Sequence, residues 1–323
     1  LKILALIYFV LGIASLVIGI AGIVTGILLP LVRQSLGGWA TTVIVLSILS
    51  AAMMIPMCLF AKERVIEREK ARDGGAEENY TLRDMVECLR SNKYLLIFFA
   101  APLINSLLNV GATWGLYIAR YCLGGEEIAS FVSMAVIVPT LIGAAIAVQL
   151  CKKYDKFKIF YFSYMFALIL GIVRYIAGYE NMMVYVILNA LGGFPLGIAA
   201  ILQYQFTPDC YEYGQYKTGL KMRGVTFAAQ TFFTKLNGAI ATAVSVFALT
   251  LIGFKEGEGV IQAAGFADKL WTFSCLGSII GGIGTLLILR LYKLNDHDVQ
   301  LMSKCNNGEI TREEAEAQMI NRY

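Results

Sequence analysis

A chain of 323 residues of which 58% are hydrophobic, with a mean hydropathy of +0.66, carries more apolar surface than soluble domains of that length can bury. Its charges, 27 Lys and Arg against 23 Asp and Glu for a net +4, form no patch suited to nucleic acid, and the small excess falls in connections between apolar runs. The strand-like alternation of a membrane barrel is absent, so the expectation is an all-α, polytopic membrane protein.

Eight runs are long enough to cross a hydrocarbon layer about 30 Å thick. They cover 3–32, 39–61, 94–119, 128–150, 159–178, 182–207, 225–253 and 270–292. Gly19, Gly22 and Gly26 give the first run points for close packing or bending. Lys and Arg number eight in 62–93, four in 152–158, three in 217–223 and five from Arg290 onward. The alternate connections hold only Arg33, Arg120, Arg174 and the pair Lys255 and Lys269, so both termini of the chain are expected on the cytoplasmic side of the cell membrane.

Segment 62–93 divides the chain into two spans before it and six after it. It opens with mixed charge and Gly74-Gly75, the pattern of a solvated linker. Thr81 with Asp84 then forms a capping signal, and Leu82, Met85, Val86 and Leu89 make one apolar stripe, predicting a helix on the membrane surface. In 94–119, Asn105 and Asn109 lie one turn apart, which suits an interhelical hydrogen bond as well as a substrate contact. Arg120 and Arg174, near outer span ends, are expected to snorkel outward.

In 182–207, Asn189, Gly193, Ala200, Gln203 and Thr207 share a face. The run Gly192 to Gly197, which contains Pro195, is expected to weaken that helix near its middle, a feature tolerated where a helix lines a cavity. A polar stretch from Asp209 to Gly219 reads as a connecting loop. The run 225–253 follows, with Thr226, Gln230, Thr231, Thr234, Lys235, Asn237, Thr242 and Ser245 on about half its circumference. That polar half faces either a solvated cavity or a seam between helices. Lys235 falls roughly 15 Å into the span at 1.5 Å per residue, and a cation at that depth marks a candidate functional site.

The tail repeats soluble signals. Asn306-Asn307-Gly308 breaks the chain, Thr311 with Glu314 forms a capping box, and 312–322 reads as a short polar helix. Seven cysteines, at 58, 88, 122, 151, 210, 275 and 305, show no C-x-x-C pair and read as apolar filler, while the single histidine, His297, reads as solvated. No cofactor or metal site is expected. No interior Asp or Glu occurs in any span, and no nucleophile motif or acid pair is present, which argues against an enzyme. Lys235 then needs a partner in residues the chain does not show, or solvation, or neutrality. A chain that opens with Leu1 and enters a span at once is expected to be an N-terminally truncated form.

The run Asp209 to Gly219, then Gly224, Gln230-Thr231-Phe232-Phe233-Thr234-Lys235, Gly238 and Gly253-Phe254, resembles the glycoside-pentoside-hexuronide:cation symporter family, the melibiose permease-like branch of the major facilitator superfamily. Weaker matches are Lys62-Glu63-Arg64-Val65, Asn105 with Gly111, and Tyr292-Lys293-Leu294. The resemblance implies helices five to twelve of a twelve-helix fold. Residues 1–61 would be the last two helices of the N-terminal half, 62–93 the central cytoplasmic loop, 94–292 the C-terminal six-helix half and 293–323 a cytoplasmic tail. The acidic cation ligands of such proteins would lie on the four helices with no counterpart in this chain.

The implied function is symport of a sugar or glycoside with Na+ or H+ by alternating access, in a monomer whose other partners are its solute and the lipid bilayer. Lys235, Thr231, Gln230, Gln203, Asn189 and Asn105 would then line the substrate and cation site, and Asp209, Glu212, Tyr213, Gly214, Lys217, Thr218 and Gly219 would form a gating loop. Glu212 and Gln215 depart from the family pattern, as does Arg223, and Ala200 replaces an aromatic sugar platform, so galactoside recognition is not expected. A symporter of a lipid or organic anion on the same fold is the alternative, with a non-transporting sensor a distant third.

Overall fold

The computed structural model describes residues 82–221, 223–257 and 260–323, with single residues at 48 and 52. The spans expected over 3–32 and 39–61, and the linker up to Thr81, lie outside the described residues. Eleven helices follow one another among the described residues: α1 Leu82–Ser91, α2 Lys93–Leu108, α3 Gly115–Cys122, α4 Glu127–Leu150, α5 Lys156–Ala177, α6 Met182–Gln203, α7 Phe206–Thr218, α8 Arg223–Leu251, α9 Phe266–Leu289, α10 Asp296–Asn306 and α11 Arg312–Gln318. Five spans, α4, α5, α6 continued by α7, α8 and α9, are long and apolar enough to cross a membrane, and α2 is a shorter apolar helix.

Side chains at the helix starts fix where each helix begins. Asn92 accepts the Leu95 N–H at 3.1 Å, Asp155 the Phe157 and Lys158 N–H groups at 2.9 and 3.4 Å, and Asn181 the Met183 and Val184 N–H groups at 3.0 and 3.2 Å, satisfying otherwise orphaned donors. The capping box predicted at Thr311 and Glu314 is formed, with both reciprocal bonds present.

The continuous span expected over 94–119 is corrected. Helix α2 stops at Asn109, whose side-chain oxygen accepts from the Ser278 hydroxyl at 3.0 Å. Gly111 then lies against α9 so closely that a Cβ there would sit 2.5 Å from the Ser274 Cα. Trp114 is fully buried, with its indole N–H donated to the Ser245 carbonyl at 3.1 Å, and α3 begins at the next residue. Bonds to α8 and α9 thus take the place of one turn of helix.

The expected weak point in 182–207 is also corrected, because α6 runs unbroken from Met182 to Gln203 with Pro195 inside it. Its glycines serve packing. A Cβ on Gly193 would lie 2.6 Å from the Val136 carbonyl oxygen, and one on Gly197 would collide with the Thr140 carbonyl oxygen. Gly143 on α4 meets Phe194 of α6 in the same way. The two backbones therefore touch with no side chain between them, the small-residue mode of helix association that lipid favours.

Around this pair, α5 packs on α6 and α9, α9 on α2, and α2 on α8. Aromatic residues fill the end of the bundle near α10, where Tyr94, Phe98, Phe206, Tyr213 and Tyr292 are all buried. A second cluster, with Trp114, Tyr185, Leu270 and Trp271, fills the end near α3. Helix α1 packs on α7, with Val86 exposed and Leu89 against the first cluster.

The tail folds back rather than extending. Asn306 donates to the Glu212 carbonyl at 2.9 Å and to its carboxylate at 2.8 Å, and the Tyr216 hydroxyl donates to Glu316 at 3.0 Å. The polar helix expected over 312–322 ends at Gln318, because the N–H groups of Ile320 and Asn321 turn to the buried Asp298 carboxylate at 2.9 and 3.1 Å. His297 is more than half exposed and contacts Asp298 at 3.2 Å. Among the described residues, Cys122, Cys151, Cys210, Cys275 and Cys305 are all free thiols.

Candidate functional site

The polar half of α8 is not one column in the structure. At 100° per residue, Thr226, Gln230 and Asn237 fall within about 40° of one another, whereas Thr231, Lys235 and Thr242 lie roughly 140–180° from Thr226. The first group faces α2: Thr226 and Gln230 are buried, and Asn237 accepts from the Ser106 hydroxyl at 2.7 Å. The second group is exposed. Thr231, Thr234 and Thr242 return their hydroxyls to the carbonyls four residues earlier, at 3.1, 2.8 and 3.0 Å, so they present methyl groups and a spare lone pair rather than free donors. Three polar features of α8 stay unpartnered among the described residues: the buried Gln230 amide nitrogen, the buried Ser245 hydroxyl and the exposed Lys235 ammonium.

The other candidate residues divide between neighbouring helices. Asn105 donates to the Thr285 hydroxyl on α9 at 3.2 Å, and Gln203 lines a narrow void beside the same Thr285. Asn189 donates to the Tyr185 carbonyl at 2.8 Å, with its oxygen 3.5 Å from the Arg174 guanidinium. Asn105 and Gln203 therefore converge on α9, Asn189 belongs to the α5–α6 side, and Gln230, Thr231 and Lys235 stand on α8. Arg174, expected to snorkel, instead turns its guanidinium over the Trp271 ring at 6.0 Å, because the α5–α6–α9 interior offers it an aromatic face. Arg120 does point outward, paired with Glu126 at 3.1 Å.

The stretch read as a gating loop is helix α7, which corrects its form. Only Gly219 makes a turn, with φ +75° at the helix C-terminus, where it is the left-handed capping residue. Gly214 lies inside the helix under Asn92, where a Cβ would come within 2.8 Å of the amide nitrogen. Asn92 uses that closeness to donate to the Cys210 carbonyl at 2.6 Å.

Helix α7 is a junction. Asp209 pairs with Lys156 of α5, Glu212 with Asn306 of α10, and Tyr213 packs edge-on against Tyr94 with centroids 4.7 Å apart. Thr218 closes the last turn by donating to the Gly214 carbonyl at 2.8 Å, and Lys217 is exposed. The partners Asp155, Lys156 and Asp296 were not singled out in the sequence. Asp155 accepts the Asp296 N–H at 2.9 Å, while Asp296 accepts the Lys156 N–H at 2.9 Å. The available signal was Asp155 standing just before an apolar run, an N-cap pattern.

A family model described as MFS/sugar transport protein matches residues 2–296. The chain is similar to YagG of Escherichia coli (strain K12), named as a candidate glycoside/cation symporter, with 23% identity over 260 residues, 79% of this chain and 54% of the relative. It is similar to the uncharacterized symporter YjmB of Bacillus subtilis (strain 168), with 23% identity over 237 residues, 73% of this chain and 50% of the relative. It is also similar to an E. coli (strain K12) protein named as a candidate sulfoquinovose importer, with 22% identity over 244 residues, 73% of this chain and 51% of the relative. The chain thus spans about half the length of these relatives.

Proposed function

The chain belongs to the MFS/sugar transport protein family, and on that premise we propose that it works in cation-coupled symport of a sugar or glycoside, driven by Na+ or H+, by alternating access in the cell membrane. The observation that carries this reading is Lys235. It is an exposed cation 12 residues into a 29-residue apolar helix, about 18 Å along its axis, with no acidic partner among the described residues. A charge so placed needs a counter-charge or a solvated path opposite it, and a coupling-ion site supplies both.

In this reading the α8 face bearing Thr231 and Lys235 meets the solute and the cation site, with Gln230 one residue behind it. Helix α7 transmits occupancy: its ion pair to α5 and its bonds to α10 are contacts that can be exchanged as the transporter opens to either side. An acidic solute is the second reading, favoured by Arg174, which has no carboxylate partner among the described residues, and by relatives named as candidate sulfoquinovose importers.

The test is counterflow and gradient-driven uptake of labelled glycosides and of sulfoquinovose in proteoliposomes, with Na+ or pH gradients imposed separately. Accumulation that depends on one gradient is expected, and Lys235→Ala is expected to abolish it while leaving the melting temperature unchanged. Gradient-driven accumulation at the normal level in that variant would refute the role given to Lys235.

A further inference from the structure

Residues of α2, α4, α5, α6 and α9 line a partly open cavity of about 440 Å³, within the usual range of about 300–1,000 Å³ for small-molecule sites. Asn109, Ser278, Asn189 and Arg174 supply its polar atoms at the end nearer α3, and Leu170, Leu188 and Pro195 belong to its apolar wall. The lining extends along α5 from Arg174 back to Tyr164, ten residues or roughly 15 Å.

Arg174 lacks an acceptor that its chemistry calls for. A guanidinium carries five N–H donors and is always charged. Among the described residues no carboxylate lies within ion-pair distance of it. Its neighbours are the Asn189 oxygen at 3.5 Å, the limit of a hydrogen bond, the Trp271 ring at 6.0 Å and the Cys275 sulfur. Its Nε is buried without an acceptor, and so is Nε1 of the Trp271 ring that it overlies. A half-buried guanidinium with no carboxylate beside it is unfavourable, and an oxyanion in the cavity that Arg174 lines would supply the charged acceptor it lacks.

We propose that this cavity binds an amphiphilic anion, with one acidic group (carboxylate, sulfonate or phosphate) seated on Arg174 beside Asn189 and an apolar body lying between α5 and α6 toward Tyr164. The site is separate from the exposed face of α8, and its occupancy is an equilibrium property that does not depend on transport. The same acidic group could be carried by a lipid or by a dissolved solute.

Isothermal titration of the full chain in phosphatidylcholine nanodiscs tests this with octanesulfonate as probe and octanol as the uncharged control. Saturable binding of octanesulfonate but not octanol is expected, weakened at least tenfold in Arg174→Gln. Asn189→Asp, which gives Arg174 an internal carboxylate and keeps the arginine's packing, is expected to show the same loss even if Arg174→Gln does not fold. Displacement by dihexanoyl phosphatidic acid assigns the site to a lipid headgroup, and displacement by glucuronate assigns it to an acidic solute. The proposal is overturned by no saturable binding, by displacement by neither competitor, or by unchanged affinity in Asn189→Asp.

Discussion

The Lys156 ammonium lies 2.7 Å from one carboxylate oxygen of Asp209 and 2.9 Å from the other, and 3.2 Å from Asp296. One lysine at the start of α5 therefore ties α7 and α10 to the bundle. Both partners are largely buried, with side chains 19% and 12% exposed for Lys156 and Asp209. Removing the cation strands a buried carboxylate, so Lys156→Met is expected to destabilise the protein by on the order of 3 kcal/mol. Asp209→Asn leaves Lys156 paired to Asp296 and should cost about 1 kcal/mol. Thermal unfolding in detergent separates the two, and equal losses would contradict the asymmetry.

The α4–α6 contact predicts a sharp contrast among three neighbouring glycines. Gly197→Ala and Gly193→Ala push a methyl group into the backbone of α4 and should each destabilise by about 1–3 kcal/mol. Gly192 faces open space, so Gly192→Ala should be neutral or stabilising by up to about 1 kcal/mol. Melting temperatures of the three variants provide the check.

Gln230 has a buried amide nitrogen with no acceptor, a state that costs stability unless a ligand or water completes it. Gln230→Met keeps the shape and removes the orphan. A gain of about 1 kcal/mol in stability together with lower solute uptake is expected, the pattern of a residue retained for function. Lost stability with unchanged uptake would place Gln230 in the framework instead.

Asp298 predicts how the tail responds to acid. Burial alone would raise its pKa, but the N–H of Ile320, the Tyr323 hydroxyl, the N–H of Asn321 and His297 together hold the carboxyl below its usual range. A lowered folded-state pKa means that the stabilisation is complete above about pH 4, the unfolded value, and disappears as pH falls through the folded value. Amide-exchange protection at Ile320 and Asn321 should therefore persist at pH 5 and collapse in stronger acid. Asp298→Asn should lose that protection at neutral pH, and Tyr323→Phe should weaken it by about 1.5 kcal/mol.

The long apolar helices were legible because lipid imposes length and composition directly: α4, α5, α8 and α9 begin and end within about four residues of the expected runs. The Thr311 capping box was legible because both of its bonds are local. The break at Asn109 was not, since it depends on Ser278 and Ser274, some 165 residues away, and on the burial of Trp114. Asp209 to Thr218 looked like a loop because charge usually marks solvent. Its charges are instead consumed by Lys156 and Asn306, partners that only the fold brings near. The polar arc of α8 was read correctly in content, but periodicity cannot say that α2 covers one edge and leaves Lys235 on the other.

Backbone contact through Gly143, Gly193 and Gly197 leaves α4 and α6 no lubricating layer of side chains over which to slide. Any motion that reaches one must be shared by the other, so the pair behaves as a single strut. Helix α8, held to α2 by the Ser106–Asn237 hydrogen bond and the stacked Phe99 and Phe233 rings, has softer fastenings that can be remade after a small rotation. The mechanical compliance of this unit is thus concentrated at the helix that carries Lys235.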